Sequence, residues 1–139
     1  MSVVLPLMYA GNVVNNEDPN VHASLAQHLQ FIENARTVFA HARPEDKASF
    51  DAQLQLFANF VFKAQQEIRS GISEERALTS DAMVAAKERM AGFIKYKHLY
   101  ICSQLELEKA DEDTRRKYDK MKQFLGLQYL ECKRPCVIL

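Results

Sequence analysis

The sequence predicts an all-α fold, an antiparallel bundle of about four helices behind an irregular N-terminal arm. Three observations carry that expectation. Glycine and proline number four each in 139 residues, which leaves few turn signals and favours long helices. Apolar residues recur at helical spacing in four successive stretches joined by short polar breaks. The composition, 47% apolar and 26% charged, is that of an ordinary globular chain, and at this length one domain can bury a core without disulfides or metal.

Residues 1 to 20 read as the arm. Val3, Val4, Leu5, Leu7, Met8 and Tyr9 are apolar enough to pack across the bundle, while Pro6 and Gly11 break any long helix. The bundle proper spans 21 to 131, and 132 to 139 form a flexible tail. The first helix is expected from about Pro19 to Ala42. Asp18 serves as N-cap, and Val21, Leu25, Leu29, Ile32 and Phe39 form the buried face. His28 stands beside that stripe as a core-edge histidine.

The second helix opens at Pro44, with Glu45 and Asp46 complementing the dipole of its first turn. Its stripe is Phe50, Leu54, Phe57, Val61, Ala64 and Ile68, widened by Leu56, Phe60 and Phe62. Gly71 suits the left-handed position that ends it. The third helix starts at Ser73 or at Thr79-Ser80-Asp81, as a short turn followed by a long helix to about Lys109. Met83, Ala86, Met90, Phe93, Ile94, Lys97, Ile101 and Leu105 lie on one face, and Gly92 is the weak point. Tyr96, His98 and Tyr100 spread around this helix. The fourth is expected from about Glu112 to Glu131, with Tyr118, Met121, Leu125 and Tyr129 inward and Leu127 and Leu130 outward.

Charge is unevenly distributed. From Arg115 onward seven basic residues face two acidic ones, a net of +5, whereas the first 114 residues carry eleven and sixteen, a net of −5. Arg115, Arg116, Lys120 and Lys122 fall opposite the apolar face of the fourth helix. With Lys133 and Arg134 they form a candidate surface for an anionic membrane, each basic residue near such a leaflet contributing about 1 kcal/mol.

The chain closes on Cys132-Lys133-Arg134-Pro135-Cys136-Val137-Ile138-Leu139. Cys136 followed by two aliphatic residues and Leu resembles the CaaX box of prenylated proteins, in which a terminal Leu favours geranylgeranyl. The tails of small GTPases and heterotrimeric G-protein gamma subunits are similar. The likeness covers this tail and does not extend into residues 1 to 131, where the GTPase phosphate loop is missing. It implies a thioether-linked isoprenoid on Cys136, removal of Val137, Ile138 and Leu139, a prenyltransferase as one partner, and a eukaryotic cell, or a pathogen's host, as the setting. One isoprenoid holds a protein at a membrane only reversibly. Cys132 is therefore a candidate for a second, palmitoyl anchor.

No Gly-rich phosphate loop, paired metal-ligand spacing or nucleophile–base arrangement stands out, so no cofactor, metal or nucleic-acid partner is expected. The three cysteines fit a reducing compartment. No apolar run is long enough to span a membrane, no signal peptide is recognisable, and Ser2 excludes N-myristoylation. The sequence thus points to a membrane-tethered interaction module at a cytoplasmic face, acting on an unidentified protein partner. The alternatives are a small enzyme whose site draws on scattered residues such as Tyr9, His28 and His98, and a soluble bundle whose terminal Cys is accidental.

Overall fold

The structure is a computed structural model that describes residues 23–132. The arm, Val21 and the tail beyond Cys132 lie outside the described residues. The chain forms α1 (Ala23–Phe39), α2 (Pro44–Arg69), α3 (Glu74–Leu78), α4 (Asp81–Leu107) and α5 (Glu112–Leu125). α1 packs on α2 and α5, and α4 packs on the same two helices from the opposite corner, so the four long helices close a square around one core. Short connections make the neighbours antiparallel. The all-α bundle expected from the sequence is the fold, and the short turn before the third long helix is α3.

Local chemistry sets the boundaries. Pro44 opens α2, and Gly71 at φ 105° follows its last turn. Ser73, Ser80 and Asp111 cap α3, α4 and α5 by accepting from the backbone N–H three residues on. At Asp111, bonds from Thr114 hold the carboxyl below its ordinary range. The α1–α2 turn is tied to α4: Gln104 Nε2 donates to the His41 carbonyl at 3.0 Å, and the Tyr100 hydroxyl accepts from Arg43 N–H at 2.9 Å. The same hydroxyl donates to Asp46 at 2.8 Å, which depresses that carboxyl.

The core holds the expected stripes. Leu25, Ile32 and Phe39 are buried on α1; Phe50, Leu54, Phe57, Val61 and Ala64 on α2; Met83, Ala86, Met90, Ile94, Ile101 and Leu105 on α4. Phe31 and Val38 join them, because α1 is flanked by two helices and buries a wider face than one stripe. Leu56 and Phe62 are exposed, so the α2 core face is narrower than expected.

The largest departure is at the end of α5. The helix stops at Leu125, six residues before Glu131. Gly126 adopts φ 74°, and Leu127 N–H returns to the Lys122 carbonyl at 2.7 Å. This is a Schellman-type stop, in which the residue after the left-handed glycine turns an apolar side chain back onto the helix. Leu127 is buried and Leu130 partly so, both expected on the outside. Residues 127 to 132 form a strap that folds back along α4.

Candidate functional site

Three faces of α4 serve three purposes. The first builds the core. The second, set by Tyr96, Leu99 and Leu107, points away from the bundle, with 80%, 78% and 71% of each residue exposed. Gly92 and Ser103, also exposed, share that face at helical spacing. The third face carries His98 and Cys102, one turn apart, and meets the strap.

His98 is buried between α5 and the strap. Its Nε2 lies 2.9 Å from the Glu131 carbonyl, and its Nδ1 lies 2.7 Å from the Tyr118 hydroxyl. A carbonyl only accepts, so the Nε2 nitrogen carries a hydrogen, and in the Nε2–H tautomer Nδ1 accepts from the phenol. Burial pushes that phenol above its ordinary value and keeps it a donor. Cys102 Sγ approaches the ring at 3.8 Å from Nδ1 and 3.6 Å from Nε2. Cys132, on the exposed strap, is joined to Cys102 by a disulfide of 2.09 Å across thirty residues of sequence. The ligand atoms of His98, Cys102 and Cys132 all lie within 4.8 Å of one another. Sequence spacing shows no such set, because the cluster exists only once the Gly126 turn brings the strap back.

Lys122 completes the surroundings. Its Nζ donates to the Leu130 carbonyl at 2.8 Å, pairs with Asp119 at 3.3 Å and stands 5.0 Å from the centre of the Tyr118 ring. It is buried, so it is no part of a membrane-facing surface: the strap folds over the side of α5 where Lys122 was expected to meet solvent. Arg115 is half-buried and reaches the Ala110 and Leu105 carbonyls at 3.1 and 3.5 Å, closing the end of α4. Arg116 and Lys120 are exposed, one turn apart on α5. Cys136, Lys133 and Arg134 lie outside the described residues. Cys132, expected to take an acyl chain, is bonded to Cys102, so its sulfur can be acylated only in the reduced chain.

A separate groove of about 600 Å³ opens between α1, α3 and α4, lined by Ser24, His28, Glu74, Lys87 and Leu125 among others. His28 is buried at its edge. Its Nδ1–H donates to the Ser24 carbonyl at 2.7 Å, its ring stacks on Phe57 and meets Phe124 edge-on, and burial pulls its pKa below the ordinary value. This is a packed core histidine. Tyr96, His98 and Tyr100 point in three directions, outward, toward α5 and toward α2, and do not converge.

No helix among the described residues is long and apolar enough to cross a membrane. Over the described residues the chain is an all-α bundle with an exposed apolar ridge on α4 and a disulfide–imidazole cluster beneath its C-terminal strap. No family model, curated protein or solved structure matches it.

Proposed function

We propose that this chain is a helical interaction module, held at a cytoplasmic membrane face by a prenyl group on Cys136 and presenting the outer face of α4 to a protein partner. The observation that carries the reading is the ridge of Tyr96, Leu99 and Leu107. Single exposed apolar side chains are ordinary, but three large ones this exposed along one helix are a docking pattern. Tyrosine with leucine supplies broad contact area at little entropic cost. The tail resemblance supplies the tether, through a prenyltransferase and then an anionic bilayer. The strap gives the two parts a common geometry. In the disulfide form Cys132 is joined to α4 one turn from Leu99, four residues before the lipid position.

The test is microscopy combined with proximity labelling of an N-terminally tagged chain in eukaryotic cells. Wild type is expected at membranes and Cys136→Ser throughout the cytosol. Tyr96→Asp with Leu99→Asp should keep the membrane position and lose a defined set of labelled proteins. Equal diffuseness of wild type and Cys136→Ser overturns the tether. An unchanged labelled set in the ridge variant overturns α4 as the docking face.

A further inference from the structure

We propose that His98, Cys102 and Cys132 form a site for a thiophilic divalent cation of the zinc class in the reduced chain, and that the Cys102–Cys132 disulfide is the metal-free, oxidised form of the same site. The inference does not depend on the tail or on the ridge.

Two thiolates and a neutral imidazole are the ligands that zinc selects, at about 2.3 Å to sulfur and 2.0–2.1 Å to nitrogen. Around a tetrahedral ion those bonds place nitrogen and sulfur roughly 3.6 Å apart. Cys102 Sγ already stands 3.8 Å from His98 Nδ1, because the two residues lie one turn apart on the same face of a rigid helix. That half of the site is preformed.

A ligating histidine usually donates its other N–H to a carbonyl or carboxylate, which fixes the tautomer and aims the lone pair. Here Nε2–H is held by the Glu131 carbonyl, which leaves Nδ1, 3.8 Å from Cys102 Sγ, as the ligating atom. In the disulfide form the Tyr118 hydroxyl occupies that lone pair at 2.7 Å. On metal binding the phenol yields it and becomes a donor toward a neighbouring thiolate, as outer groups commonly do.

His98 is buried, Cys102 half-buried and Cys132 exposed, so the movable ligand sits on the solvent side and the fixed ones inside. Ion and disulfide exclude each other. Zinc binds thiolates, and sulfurs bonded to each other carry no thiolate charge to hold it. Interconversion balances with a low-molecular-weight disulfide as oxidant. The zinc-bound thiolate of Cys132 attacks it and expels one small thiolate. The Cys102 thiolate then attacks the mixed disulfide at the Cys132 sulfur and expels the second. The small disulfide gains two electrons, the protein sulfurs lose two, and Zn²⁺ leaves unchanged. Three protein ligands leave a fourth position for water.

The experiment is an anaerobic titration of the full-length chain, carrying Cys136→Ser so that Cys102 and Cys132 are its only thiols, with Co²⁺ and then Zn²⁺ after phosphine reduction. One Co²⁺ per chain is expected, with the ligand-field bands of a tetrahedral site and a thiolate-to-cobalt charge-transfer band, displaced by one Zn²⁺. Oxidised glutathione should release one zinc to a chromogenic chelator as two protein thiols disappear. Adding Cys132→Ser, at an exposed position, should leave the circular dichroism spectrum unchanged and weaken zinc binding by about 100-fold or more. Absence of the charge-transfer band in the reduced chain, or a Cys132→Ser chain that titrates like its parent, overturns the site.

Discussion

Phe57 of α2 meets Phe31 of α1 edge to face, with ring centroids 5.2 Å apart and the planes at 73°. Phe124 of α5 stacks on Phe31 at 4.9 Å and approaches Phe57 edge-on at 6.2 Å. Three helices are therefore joined through one aromatic cluster, and Phe57 is 1% exposed within it. Phe57→Ala removes a ring that the neighbours can replace only in part. The loss of transfer free energy with a residual cavity should destabilise the domain by about 3 to 5 kcal/mol in a chemical or thermal melt. A melt unchanged within error refutes the packing described for this face.

His28 makes the bundle sensitive to mild acid. Burial lowers its folded pKa below the ordinary 6.5, so the unfolded chain binds the proton more readily. Stability should therefore be full above about pH 6.5 and fall as pH drops through that value toward the folded pKa. Asp46 and Asp111, whose carboxyls are depressed, lose their contributions only as pH falls below their ordinary 3.8, so the two effects occupy separate windows. His28→Phe, which keeps the aromatic contacts with Phe57 and Phe124, should flatten the fall in melting temperature between about pH 7 and about pH 5. An identical slope in the variant assigns the acid sensitivity to another group.

The bundle was legible in the sequence where punctuation and period agreed. Pro44 and Gly71 bracket α2 to within two residues, and the Phe50–Leu54–Phe57–Val61 stripe is its core face. It was least legible where they competed. The apolar spacing through Leu125 and Tyr129 favoured a continuing helix, yet Gly126 takes a left-handed turn at modest cost and Leu127 gains burial by turning back. Everything after that turn follows from it, including the burial of Lys122 and the closeness of Cys132 to α4. His98 and Cys102, four residues apart on α4, supply one half of the cluster, and no metal-ligand spacing was read from them in the sequence. The other half required the strap, which residue spacing alone does not encode.

Gly92 has no structural need to be glycine. It is helical and exposed, and a Cβ built there meets nothing within 4 Å. Gly92→Ala should stabilise the isolated domain by about 1 kcal/mol through reduced backbone entropy of the unfolded chain, a rise of roughly 4 °C in melting temperature. A glycine on the same face as Tyr96 and Leu99 lets another backbone approach closely, so the same variant should weaken partner labelling while raising stability. A stabilised variant with unchanged labelling limits the docking face to the two ridge side chains.

The basic residues and Cys132 make separable predictions about membrane residence. Lys122 is internal, so Lys122→Gln should lower the melting temperature and leave lipid preference unchanged. Arg116 and Lys120 are exposed on α5, whereas Lys133 and Arg134 lie between the fixed Cys132 and the lipid position, at most about 14 Å of chain. Surface charges are screened within about 8 Å at physiological salt, so the pair beside the lipid should dominate. Replacing Lys133 and Arg134 with Gln should weaken binding of prenylated protein to anionic liposomes and leave binding to neutral ones unchanged. An equal loss on replacing Arg116 and Lys120 means that α5 lies on the bilayer. The disulfide adds a test of acylation. Cys102→Ser leaves the Cys132 thiol unpaired and should raise palmitate incorporation and membrane residence in cells, while Cys132→Ser should lower both. If the two cysteine variants behave alike, Cys132 carries no second anchor, and its role lies in the cluster with His98.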